Sequence, residues 1–174
     1  MLLLIAAPGF TQKCKYEINQ KDPFSQKFYK QTKTEQVGST FYTAMGVAFA
    51  KEDSAYYLVL EMMESSYSKF DPWHITEKQQ LQILLTSGKT ITLHAQNKKE
   101  GVRGTVIGIP PVYTCKVEMV RYKISEGDLM TLMTSAPTLM RVYKTMPQGS
   151  TEHQDMEIKT KKHDNLQNLI SCVL

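Results

Sequence analysis

Residues 84–93 read LLTSGKTITL, and the SGKT within them carries most of the lettering of a phosphate-binding loop. Such a loop is written Gly-x-x-x-x-Gly-Lys-Ser/Thr, because the backbone must curl around phosphates on its way into a helix. Where its first glycine belongs, this chain has Ile83, and beyond Lys89 the residues Ile91, Leu93 and Ala95 alternate with Thr90, Thr92 and His94. Both requirements fail. Gly88 is expected instead at positive φ in a turn between two strands. Gly101, Gly104 and Gly108 also miss the G-x-G-x-x-G spacing of a dinucleotide loop.

Metal and catalytic constellations are as sparse. His74, His94, His153 and His163 are too far apart in sequence for a helix to present a histidine pair, and HExxH is absent. His153 and Asp155 can share one side of a strand, which makes them a two-ligand fragment for a metal-dependent or hydrolytic site with a remote third ligand. A polar strand face is the preferred reading of them, because no third ligand lies nearby. There is no DxDxDG calcium loop and no G-x-S-x-G elbow. Glu61 lies beside Glu64, and Glu52 beside Asp53, but acid–base work on a sugar needs carboxyls that face each other across a cleft. Glu61 interrupts an apolar strand and is expected to face solvent or pair with a lysine. No catalytic residue, metal or cofactor is assigned. Cys14, Cys115 and Cys172 are odd in number and form no CxxC. They allow one disulfide and one free thiol in an oxidising compartment, or they are small buried hydrophobes, the reading preferred for Cys115 and Cys172.

The richest surface feature is YSKFDPWHIT, with Tyr67, Phe70, Asp71, Trp73 and His74. Loop aromatics beside hydrogen-bonding groups suit a recognition patch for a glycan or peptide. The competing reading is that Phe70 and Trp73 fold back to plug one end of a sheet, since large aromatics are mostly buried.

The elements that must position these groups follow from periodicity. In FYTAMGVAFAK, Phe41, Met45, Val47 and Phe49 fall on one side of a strand, and YYLVLEMM is apolar on both faces, as a central strand would be. The polar KEDS between them predicts an antiparallel hairpin. QKDPFS reads as a turn around Pro23, and residues 80–95 as a hairpin about TSGK. Residues 96–111, rich in lysine, glycine and proline, are expected to form a mobile surface loop. VYTCKVEMVRY predicts a long strand with Tyr113, Cys115, Val117 and Met119 on one side. A helix over residues 125–136 is announced by Ser125 with Asp128 as a capping pair, and it presents Leu129, Leu132, Met133 and Ala136 before Pro137 stops it. TLMRVYKTM and QDMEIKT are partner strands about PQGS. Asp164 is expected to cap a final helix over residues 164–173 that buries Leu166, Leu169, Ile170 and Val173. Strands that cluster and do not alternate with helices predict an α+β fold, a mainly antiparallel β-sheet with two short helices packed on it.

Composition sets the outer bounds. The chain has 174 residues, 41% hydrophobic and 22% charged, which suits a single folded domain over residues 13–174. A net charge of +4, with basic runs NKKEGVR and KTKKH that lack interleaved aromatics, predicts no specific nucleic-acid binding. MLLLIAAPGF is too short to span a bilayer. It has the hydrophobic core and cleavage region of an export signal over residues 1–12 without the basic start, or else it is a first buried strand. Lys13 directly before Cys14 disfavours a lipid anchor. No transmembrane segment is expected.

KCKYEINQKDPFSQKF, LLTSGKTITL and YKISEGDLMTLMTSAPTLMRVYKT with the later MEI together resemble a group of exported α+β proteins of Bacteroidota that carries no assigned activity. The matched pieces cover about a third of the chain. The resemblance implies export and one small domain. Two departures bear on the N-terminal boundary, the missing basic start and FSQK where a glycine-bearing turn belongs. The expectation is a noncatalytic domain of the cell envelope, periplasmic or extracellular, that binds a protein or glycan partner. A small enzyme around His153 and Asp155, or a component that self-assembles through exposed strand edges, are its alternatives.

Overall fold

Two antiparallel sheets meet across the apolar sides of their strands. The computed structural model describes residues 14–106 and 108–174, so the segment read as an export signal, 1–12, lies outside the described residues. In chain order the strands begin with β1 (Tyr16–Lys21), β2 (Phe28–Thr32), β3 (Glu35–Ser39), β4 (Thr43–Glu52) and β5 (Ala55–Ser66). β6 (His74–Ile75), β7 (Gln80–Leu85), β8 (Thr90–His94) and β9 (Lys99–Glu100) follow, then β10 (Val102–Val106) and β11 (Val112–Ile124). The chain closes with α1 (Glu126–Thr134), β12 (Pro137–Thr145), β13 (Thr151–Glu157) and α2 (His163–Ser171). The first sheet has the order β1-β2-β4-β5-β11-β10 with β3 also on β4, and the second has β8-β7-β12-β6-β9 with β13 also on β12. The strand-rich α+β expectation holds in outline, but with two sheets instead of one. One sheet leaves an apolar face uncovered, and here each covers the other.

The core shows why these segments pair. Met45, Val47 and Phe49 of β4 and Leu58, Leu60 and Met62 of β5 point inward, where they meet Leu81, Ile83 and Leu85 of β7 and Met140 and Val142 of β12. Each such side chain contributes about 1.5–3 kcal/mol on burial. β5 lies between β4 and β11 and is apolar on its other face too, where Val59 joins Ala48 and Ala50 beneath Tyr29, Tyr57 and Met119. The β4–β5 hairpin turns at Asp53 and Ser54, with Asp53 at φ 51° and its carboxylate accepting from Phe28 N at 3.0 Å. Gly88 has φ 80° in the β7–β8 turn, as the sequence predicts. Asp22 fastens the β1–β2 turn by accepting from Phe24 N (2.8 Å) and Ser25 N (2.7 Å).

Four expectations are corrected. Phe41 is not on the core side, because β4 starts at Thr43 and leaves Phe41 76% exposed. Met119 does not follow Cys115 and Val117 inward. The β11–β5 register shifts between Val117 and Val120, Met119 takes φ 58°, and Val120, Tyr122 and Ile124 become the inward residues. This is a β-bulge, one extra residue that reverses the phase of a strand. Residues 96–111 are not all loop, since β9 pairs with β6 and β10 with β11. Gly101 between them is there for space. A Cβ at that position would collide with the Trp73 carbonyl oxygen and Cys115 Sγ. Finally, α2 starts at His163 with Lys162 at its cap position and no side-chain cap bond, and Asp164 sits within the first turn.

The helices close one end of the sandwich. Ser125 caps α1 by accepting from Asp128 N at 3.0 Å and donates to Asp128 Oδ2 at 2.7 Å. Leu132 of α1 and Leu166 and Ile170 of α2 cover Val47, Phe49, Leu58, Ile83 and Met140. α2 is tied at both ends. Glu35 Oε1 accepts from Lys162 Nζ (2.6 Å) and Asn165 Nδ2 (2.9 Å), and Cys172 forms a disulfide with Cys14. The Cys172 carbonyl also accepts from Tyr16 Oη (2.9 Å) and Lys30 Nζ (2.8 Å). Cys172 is thus a bridged cysteine and no simple buried thiol, whereas Cys115 is free and buried. Among the described residues, no helix is long and apolar enough to cross a membrane.

Candidate functional site

The inward alternation of two strands ends in charge. On β5 the sequence Leu58, Leu60, Met62 continues to Glu64, and on β12 Met140 and Val142 continue to Lys144. The two side chains meet as an ion pair that joins one sheet to the other, with Lys144 at 7% and Glu64 at 16% side-chain exposure. The Lys144 ammonium also stands 5.1 Å from the centre of the Trp73 ring, which forms the wall behind it. Trp73 is fully buried. Burying an ammonium costs free energy unless it is paired, and removing either member strands the other without solvation.

Above the pair a cleft of about 290 Å³ opens to solvent, with Thr43, Ser65, Phe70 and Gln154 on its sides. Tyr42 also lines it, and Phe41 and Tyr67 pack on Tyr42 beside it. Phe41, Tyr42 and Tyr67 are 76%, 51% and 47% exposed, respectively. Their ring centres lie 4.9 Å (Phe41–Tyr42), 6.3 Å (Phe41–Tyr67) and 6.4 Å (Tyr42–Tyr67) apart, within the range of edge-on and tilted aromatic contact. The backbone fixes this cluster from beneath. Thr40 Oγ1 accepts from Thr43 N at 3.0 Å, and Ser65 N donates to the Tyr42 carbonyl at 2.7 Å.

The predicted patch is therefore divided. Tyr67 is exposed and packs on Tyr42 beside the cleft, and Phe70 lines the cleft, half-buried against the core. Trp73 is no surface contact: it lies inside, as the plug that weighed against a five-residue patch. Asp71 is outside the cleft wall and pairs with Arg103 at 2.8 Å, while the same guanidinium donates to the Phe70 carbonyl at 3.0 Å. His74, on β6, has Nδ1 3.9 Å from Glu100 Oε2 and also stands apart from the cleft. Phe41, Tyr42 and Lys144 join the site without having been singled out for it, and Glu64, weighed only as a carboxylate neighbour of Glu61, joins it as well. Glu64 and Lys144 did carry a signal, charge at a position in phase with buried neighbours. Glu61, noted in their place, has the opposite phase and accepts from Thr34 Oγ1 at 2.9 Å on the outer face.

The His153–Asp155 fragment is committed elsewhere. Arg141 donates to both Asp155 oxygens, at 2.6 and 2.7 Å, and holds that carboxyl below its usual range. The His153 ring lies 5.8 Å from that of Tyr143. Among the described residues, no group of three His, Cys, Asp or Glu side chains could hold a metal ion. Burial pushes the Cys115 thiol up, away from the thiolate a nucleophile needs. Comparison with protein families, curated proteins and solved structures finds no match to this chain.

Proposed function

We propose that the protein is a noncatalytic exported domain of the cell envelope that docks a partner, protein or glycan, at the aromatic-rimmed cleft over the Glu64–Lys144 pair. The observation that carries this reading is the coincidence of three exposed, mutually packed rings with a buried ion pair in one cleft. Exposed aromatic clusters beside a few fixed polar groups are the usual make-up of recognition sites. The pair neutralises itself, and Ser66 Oγ is engaged by Ser68 N at 3.0 Å, so the chemistry at hand is that of holding a ligand. Export is supported by the apolar start of the chain and by the Cys14–Cys172 disulfide, a bond that persists in oxidising compartments.

Envelope polysaccharide and envelope protein fractions, titrated separately against the intact protein and against a Phe41→Ser/Tyr67→Ser variant, test the site. Binding by one fraction that falls about tenfold or more in the variant is expected, the scale of losing one interface anchor. Equal binding by both proteins removes the cleft from the reading. N-terminal sequencing of the native protein tests export, with a mature start near residue 13 expected.

A further inference from the structure

We propose that the cleft holds a neutral pyranose by a vicinal diol, one hydroxyl donating to Glu64 and the adjacent one accepting from Lys144. The proposal rests on the reading of this corner as a binding site and commits it to one ligand chemistry.

The donor and acceptor inventory leads there. Lys144 gives one of its three N–H groups to Glu64 Oε1. The Trp73 ring backs the ammonium, so the remaining donor capacity faces the cleft that Lys144 lines. Among the described residues, Glu64 Oε2 receives no hydrogen bond, and the cleft is where a donor can reach it. An ammonium and a carboxylate in contact thus offer a donor and an acceptor side by side. A vicinal diol offers the complement, two adjacent oxygens of which one gives a proton and the other receives one. Gln154 extends the pattern. Its Nε2 donates to the Asp155 carbonyl at 3.0 Å, which leaves the amide oxygen for a further hydroxyl.

Charge and shape narrow the class. The pair is electroneutral, so an anionic ligand that gained Lys144 would meet Glu64 at close range, and a cation would meet the reverse. A neutral polyol meets neither penalty. A peptide taken as an added strand would need a row of free backbone groups, whereas the polar groups here are side chains on the walls of a pit. Tyr42 on the cleft wall, with Phe41 and Tyr67 packed on it, supplies flat apolar faces for the C–H side of a sugar ring. A volume of about 290 Å³ sits at the low end of the roughly 300–1,000 Å³ typical of ligand pockets, room for one ring with the rest of a chain outside.

The test is an NMR titration of the isotope-labelled protein with the methyl glycosides of glucose, galactose and mannose, their singly deoxygenated analogues, and methyl glucuronide. At least one neutral glycoside should shift the amides of Thr43, Ser65, Tyr67 and Gln154. Removal of either diol hydroxyl should weaken that glycoside about tenfold or more, because a buried partner is left unpaired. The glucuronide should bind no tighter than its neutral parent. Tyr67→Ser, at an exposed position that leaves the core intact, should weaken the sugar without altering the rest of the spectrum. Absence of shifts at these amides, indifference to every deoxygenation, or a glucuronide tighter by tenfold each overturns the proposal. If the glycosides are silent while an envelope fraction still binds in a Phe41- and Tyr67-dependent manner, the diol falls and the docking site stands. If both are silent, both fall.

Discussion

Along β4, β5 and β12 the same inward-facing rows run from apolar side chains at one end to polar and charged ones at the other. Phe49, Leu58 and Met140 lie under α1 and α2, whereas Thr43, Glu64 and Lys144 lie beneath the cleft. The covered end is apolar. Its residual void is about 10 Å³, lined by apolar side chains, and a water needs roughly 10–15 Å³ together with polar partners. The open end instead carries an ion pair, hydroxyls and exposed rings. The difference lies in what closes each end. Two helices, fastened by a disulfide and by Glu35, complete one end from within the chain, and the other lacks any such cover among the described residues. A sheet interior left polar beside exposed aromatics is the contrast on which the proposed docking site rests.

Breaking the fastening at the closed end should have the largest effect. The Cys14–Cys172 bridge spans 158 residues, and closing a loop of that size removes about 4–5 kcal/mol of chain entropy from the unfolded state. A Cys14→Ser/Cys172→Ser variant, followed by urea unfolding beside the oxidised protein, should lose stability on that scale. The amides around Thr43 and Ser65 should be unmoved in the folded spectrum. A loss below about 1 kcal/mol would mean that packing of Leu166 and Ile170 alone holds α2.

At the open end the pair should behave asymmetrically. Lys144→Met or Glu64→Gln alone should destabilise by about 2–3 kcal/mol, somewhat less than a fully enclosed pair because the cleft admits water. The double variant Glu64→Leu/Lys144→Met should recover most of that loss, since neither charge is then left unpaired. Thermal unfolding of the three variants gives the comparison. Additive losses would show that the two residues act independently.

Acid should produce the smallest effect, again at the closed end. The hydrogen bond from Lys162 is the largest influence on Glu35 and, with that from Asn165, holds its carboxyl below the ordinary value of 4.5. A depressed folded-state pKa means that the stabilisation is present above the unfolded value and disappears as pH falls through the folded one. Amide exchange of α2 should therefore quicken as pH falls below 4.5, by less than about 1 kcal/mol for so accessible a pair. A Glu35→Gln variant should lose that pH dependence. Unchanged pH dependence in the variant would assign it to another group.

What could be read in the sequence divides along physical lines. The β4–β5 and β7–β8 hairpins and α1 were legible because each is specified locally, by alternation, by Gly88 at a turn and by Ser125 with Asp128. β9 and β10 were not, because lysine and glycine give no periodic signal and Gly101 serves a distant contact with Trp73 and Cys115. The extra residue of β11 is similarly invisible in one strand's pattern, since it appears only against the register of β5. β1–β3 left little trace beyond the Pro23 turn. Of the YSKFDPWHIT loop, Phe70 lines the proposed cleft and Trp73 stands behind the Lys144 ammonium. Which of its rings faces water depends on Lys144 and Glu64, which lie on other strands. The disulfide partner of Cys14 was likewise a matter of topology.

The irregularity at Met119 marks the place where this chain can change length. With one residue trimmed between Val117 and Val120, the two valines would stand two apart, and Val120, Tyr122 and Ile124 would keep the interior in an unbroken zigzag. The start of α1, directly beyond Ile124, would keep its frame with them. The neighbouring β5 has no residue to spare, because its register with β4 is unbroken from Thr43 to Glu52. A single deletion there would turn part of its inward row to water and cost the molecule the meeting of its two layers.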